Sequence, residues 1–92
     1  MIKHTPATLG SLVILDRFAA DVLKEDFPIT KNPVPAYAGV IVGHFGKGDV
    51  GFVIEVYRVV SLEDLTYTYV YLRILSPRGI GWIDERYIEN VV

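Results

Sequence analysis

The 92-residue chain contains no cysteine, which removes disulfide staples, thiolate zinc sites and cysteine nucleophiles together. A reducing compartment, the cytoplasm by default, is the expectation. Histidine is scarce: His4 and His44 are the only two, and neither sits in a ligand-spaced motif with carboxylates, so no metal site and no imidazole base is expected. No stretch approaches the roughly 20 consecutive apolar residues of a membrane helix, and Met1-Ile-Lys-His-Thr-Pro6 has no long apolar run behind its lysine, so neither a membrane span nor a secretion leader is expected. A basic excess is lacking too. Nine Lys and Arg face eleven Asp and Glu for a net charge of −2, whereas strong binding to phosphate backbones requires clustered basic residues, so nucleic acid is not the expected partner.

What is present is apolar and β-forming. Hydrophobic residues make up 51% of the chain, enough for one core and too few residues for two. Residues 1–9 carry polar and proline character without a period and read as an N-terminal arm; residues 10–92 read as a single domain. Ser11-Leu-Val-Ile-Leu15 is a first strand, compact and largely β-branched, and Asp16 is placed to cap a helical turn or two through Phe18, Ala19, Val22 and Leu23. Pro28, Pro33 and Pro35 then interrupt regular structure, so the span from Asp16 to Ala36 reads as a long, mostly irregular excursion.

Beyond it, Ala38–Phe45 and Val50–Val60 are both strand-like, and Gly46-Lys-Gly-Asp49 between them suits a tight hairpin connection. Ser61-Leu-Glu-Asp64 reads as a turn. Thr66–Leu75 is the strongest strand, dominated by β-branched and aromatic residues. Ser76-Pro-Arg-Gly79 turns it, Ile80–Ile83 makes a short strand, Asp84-Glu-Arg86 one tight helical turn, and Tyr87–Val92 a last strand. Five or six short strands joined by turns point to a small barrel.

The tail Gly79-Ile-Gly-Trp-Ile-Asp-Glu-Arg-Tyr-Ile-Glu-Asn-Val91 resembles the end of a Src-homology-3 (SH3) domain, in which a strand, a helical turn and a final strand follow one another. Lys47-Gly-Asp-Val-Gly-Phe-Val-Ile-Glu-Val56 resembles the glycine-bearing strand of KOW-type barrels of ribosomal and transcription-elongation proteins. Both resemblances imply an all-β, strongly bent, five- to six-stranded SH3-like barrel, here with an enlarged first loop. The chain also resembles small accessory barrels of tailed bacteriophages. The first family's groove is matched in position only by Tyr87. Ser11-Leu-Val-Ile-Leu-Asp16 has no counterpart of the Ala-Leu-Tyr-Asp-Tyr opening, the paired tryptophans are missing, and Asp84 stands where a groove proline would be. One aromatic cannot form the paired ridges that hold a polyproline helix, so proline-peptide binding is not the expectation. The KOW resemblance implies contact with RNA, a ribosome or a polymerase, and the charge balance argues against the nucleic acid itself.

Tyr67, Tyr69, Tyr71 and Arg73 alternate with Thr68, Val70, Leu72 and Ile74. Val70, Leu72 and Ile74 suit the interior, which sends the tyrosines and the arginine outward, and these residue types are enriched at interfaces. The alternative is that the 16–36 excursion folds over them. Trp82 either packs under a loop or stands as an exposed anchor. Gly43-His-Phe-Gly-Lys-Gly48 lacks the glycine spacing and the following Ser or Thr of a phosphate loop, and Glu63-Asp64 and Asp84-Glu85 are adjacent pairs that do not converge on one substrate. The sequence reading is therefore a non-catalytic interaction module, without cofactor or metal, that contacts a protein partner or a second copy of itself as a homodimer through Tyr67, Tyr69, Tyr71, Arg73, Trp82 and Tyr87. A KOW-like barrel associated with nucleic acid or the transcription and translation machinery is the alternative, and a small enzyme the third reading.

Overall fold

The computed structural model describes residues 7–17, 26–60 and 68–91. Seven strands form one antiparallel sheet: β1 (Leu12–Leu15), β2 (Phe27–Thr30), β3 (Ile41–Phe45), β4 (Gly51–Val60), β5 (Thr68–Ser76), β6 (Gly79–Asp84) and β7 (Ile88–Asn90). Their spatial order is β3-β2-β6-β5-β4-β1-β7, curled into a half-barrel. Single 3-10 turns span Ala36–Ala38 and Glu85–Tyr87. The expected helical turns over Phe18–Leu23, the turn at Ser61–Asp64, and His4 and Tyr67 lie outside the described residues.

The count of five to six strands is thus corrected to seven. The addition is β2, inside the stretch read as irregular because of its proline. Pro28 is tolerated there because β2 meets β6 only at Thr30↔Trp82, while Phe27, Pro28 and Ile29 pair with β3 alone; a strand with one neighbour need not donate from every residue. The expected hairpin is also corrected. Gly46 and Asp49 do make a turn, with the Asp49 N–H donating to the Gly46 carbonyl at 3.0 Å, but the flanking strands part company: β3 pairs with β2, and β4 with β1 and β5. The predicted 84–86 turn is present almost as read. Asp84 caps it, its Oδ1 accepting from the Arg86 N–H at 2.9 Å.

The core lies on the concave side and is built from Val13, Leu15, Ile29, Phe45, Val53, Leu72, Ile74, Ile83 and Ile88, all buried. β4 serves both halves of the sheet because its register shifts between Val53 and Glu55. The bulge lets Val53 and Val56 both pack on the core and bends the strand as bulges do. β3 lies so close to the turn between β5 and β6 that a side chain on Gly43 would lie 2.7 Å from the Arg78 carbonyl oxygen. One end of the half-barrel is tied by Arg78, which donates to Asp26 and, at 2.6 Å, to Asp49. The Arg78 guanidinium holds the Asp26 carboxyl below its usual range, and both carboxylates hold Arg78 above its own.

Candidate functional site

On the convex side, β5 and β6 present what their alternation assigns to that face. Tyr71 lies opposite Asp84, and Arg73 opposite Trp82; on the other side Tyr71 faces Tyr57 and Arg73 faces Glu55. The Trp82 and Tyr57 rings meet edge to face, centroids 6.3 Å apart and planes at 77°, a favoured aromatic geometry. Directly opposed residues share a face, so Tyr57, Tyr69, Tyr71, Trp82 and Asp84 stand together.

This face is not left open. Residues 31–40 leave the end of β2 and return to β3 as a loop whose neck is closed by the Lys31 N–H donating to the Val40 carbonyl at 2.9 Å. Between the crown of this loop and the aromatic face lies a groove of about 390 Å³. Val34, Pro35, Ala36 and Tyr37 line it from the loop, Tyr69, Tyr71, Trp82, Ile83 and Asp84 from β5 and β6, Arg86 and Tyr87 from the turn that follows, and Phe27, Pro28 and Thr30 from β2.

The tyrosine stripe is consequently split. Tyr69 is 36% exposed, Arg73 is exposed, and Tyr71 is only 5% exposed, so the outward parity holds while the expected exposure fails at Tyr71. Trp82, at 7%, packs under the loop rather than standing free. Burial raises the Tyr71 hydroxyl above its usual value, and the Asp84 carboxylate adds to the shift. Arg73 is ion-paired with Glu55 at 3.6 Å and borders the groove without lining it. Tyr87 is half-buried, its ring 4.5 Å from that of Phe27 and its face 5.9 Å from the Arg86 guanidinium. Asp84 and Arg86, joined at 2.8 Å, put a compensated ion pair on the groove. Among the described residues no three His, Cys, Asp or Glu side chains cluster as metal ligands.

The sequence reading missed Tyr37, Pro35 and Tyr57. Tyr37 is 92% exposed on an irregular segment, where neither period nor motif marks it. Tyr57 lies past the bulge in β4, which shifts the strand's alternation. A second exposed feature was also missed. Leu12, Phe52, Leu75 and Ile80 oppose one another across β1, β4, β5 and β6 and form an unbroken apolar row, each more than 40% exposed.

No family model, no curated protein and no solved structure matches the chain.

Proposed function

We propose that this chain is an SH3-like barrel with an enlarged first loop, acting as a non-catalytic interaction module that receives an extended, proline-bearing segment of a partner protein in the aromatic groove. The fold part of the reading is supported by the strand order β7-β1-β4-β5-β6, by the 3-10 turn before the last strand, and by β2 and β3 lying within the connection from β1 to β4. The functional part rests on one observation: Tyr37, Tyr69, Tyr71, Trp82 and Tyr87 all line one groove. Tyr87 alone could not form paired ridges, but it shares the groove with the rings of Tyr37, Tyr69, Tyr71 and Trp82. Flat aromatic walls suit a preformed extended peptide, because its proline rings pack on them at little entropic cost. The occupant's chemistry is indicated by the chain itself, since Pro35, with φ −54° and ψ 144°, is close to polyproline II geometry and already faces those rings. A nucleic-acid partner is opposed by Arg17, Arg73, Arg78 and Arg86, each of which is paired with a carboxylate.

Titration of labelled protein with proline-bearing peptides tests the reading, with shifts expected at the amides of Tyr69, Trp82 and Tyr87; shifts confined to other faces would sink it. Two substitutions separate surface from core. Tyr69→Ser should weaken peptide binding while changing stability by no more than about 0.5 kcal/mol, as surface positions do. Tyr71→Ser should instead cost about 3 kcal/mol, because it empties a buried aromatic site. Thermal unfolding of the two variants checks this contrast.

Self-association is a second reading, favoured by the apolar row Leu12–Phe52–Leu75–Ile80. Contiguous exposed apolar surface marks contact sites, and a row of this kind can pack against its own copy about a two-fold axis. Sedimentation over a range of concentrations should show a dimer that Phe52→Asp abolishes. A wild-type protein monomeric at every concentration would remove this reading and leave the groove untouched.

A further inference from the structure

The groove's loop wall has the construction of a strap. Its neck is held firmly: besides the Lys31–Val40 bond, the Thr30 hydroxyl donates to the Asn32 carbonyl at 2.9 Å, and Gly39 packs so tightly that a Cβ there would lie 2.8 Å from the Thr30 side chain. The crown is held differently. Its hydrogen bonds close upon the loop itself, Val34 N–H to Asn32 at 2.8 Å and Ala38 N–H to Pro35 at 2.9 Å. No residue from 31 to 40 is buried, and the 3-10 turn Ala36–Ala38 has no side-chain cap. A compact loop with adjacent ends and a self-contained crown can swing on its neck without breaking the sheet. Lining the same groove as the crown are Tyr71 and Trp82, two of the largest side chains on the convex face, and both are buried.

We infer that residues 31–40 are an autoinhibitory strap: the Val34-Pro35 segment occupies part of the aromatic groove as an internal ligand, and a partner segment gains Tyr71 and Trp82 only by displacing it. This inference rests on the groove reading above and adds its regulation. The strap and the incoming segment share their chemistry, so they compete for the same rings, and the affinity observed is the intrinsic affinity scaled by the fraction of molecules with the strap open. If roughly one molecule in ten is open, freeing the strap raises affinity about tenfold.

Trp82 is the chain's single tryptophan, so its fluorescence reports the strap directly. The test compares the wild-type chain with P35G, which removes the crown's proline ring from the groove wall and leaves in place both the neck's hydrogen bonds and Val34, whose Cγ2 packs beside Gly39. Circular dichroism and thermal unfolding establish that the variant folds. Acrylamide quenching of Trp82 is expected to rise in the variant, and the peptide Lys-Asn-Pro-Val-Pro-Ala-Tyr, copied from residues 31–37, is expected to bind the variant more tightly than the wild type. Unchanged quenching overturns the strap. Increased quenching with weaker peptide binding overturns it as well, because the loop would then be a fixed part of the binding wall. If the peptide binds neither protein, the ligand reading of the groove fails, and the strap is decided by the quenching alone.

Discussion

Phe45→Ala is expected to be among the most damaging single substitutions in this domain, at about 3–5 kcal/mol. Phe45 is fully buried at the end of β3, and its ring rests where Gly51 has no side chain: a Cβ built on Gly51 would lie 3.2 Å from it. The space emptied by the substitution is therefore bordered on the Gly51 side by main chain, which has no side chain to turn inward, and elsewhere by the close-packed side chains of the core. Cavities that cannot collapse sit at the costly end of the range. Against a total stability of about 5–15 kcal/mol for an ordinary domain, such a loss takes a large share of the margin. Chemical denaturation checks it, and the midpoint should fall without a change in slope. A loss under 1 kcal/mol would mean that the sheet closes over the gap and that the Phe45–Gly51 contact is not a fixed part of the core.

Gly43→Val is expected to cost about 1–3 kcal/mol or more through overpacking, and to weaken groove binding although Gly43 lies outside the groove. Its Cβ would meet the Arg78 carbonyl oxygen at 2.7 Å and the Gly79 Cα at 3.2 Å. Both are backbone atoms of the β5–β6 turn, and Gly79 itself has φ +142°, so neither side yields by rotating a side chain. β3 must move away from β6, and with it goes β2, to which it is paired. These two strands carry the two ends of the 31–40 loop. Thermal unfolding and peptide titration of the same variant check both effects. Reduced stability with unchanged binding would show that the loop keeps its place independently of β3.

Much of the strand pattern was legible because it is local. Thr68–Ser76, Gly79–Asp84 and the turn after them are written in β-branched residues, a two-residue connection and a capping aspartate, each recognisable within a few neighbours. β2 was hidden because four residues containing a proline do not read as a strand, and what makes them one is contact with β3 eleven to eighteen residues ahead. The pairing of β3 was hidden for a related reason: a glycine-rich connection announces a turn but not whether the strands it joins stay together. The site was half legible. Alternation along β5 correctly put Tyr69, Tyr71 and Arg73 on the face opposite Leu72 and Ile74, but exposure depends on what crosses that face. The crossing segment is an irregular loop with no period of its own. The alternation in β4 misleads for a different reason, since the bulge turns Val53 and Val56 to the same side.

The clasp between β1 and β7 has a mechanical consequence. The two strands run antiparallel, with Leu12 bonded to Val91 at one end of the pair and Asp16 to Tyr87 at the other. Tension on the chain ahead of β1 first meets the bonds of Gly10 and Ser11 to Val53; past them the β1–β7 pair is loaded from its Leu12–Val91 end, one hydrogen bond after another, since the bonds of an antiparallel pair lie across the strands. The pair opens like a zip and not by sliding. A domain pulled in this way yields at low force, and its two ends come away together.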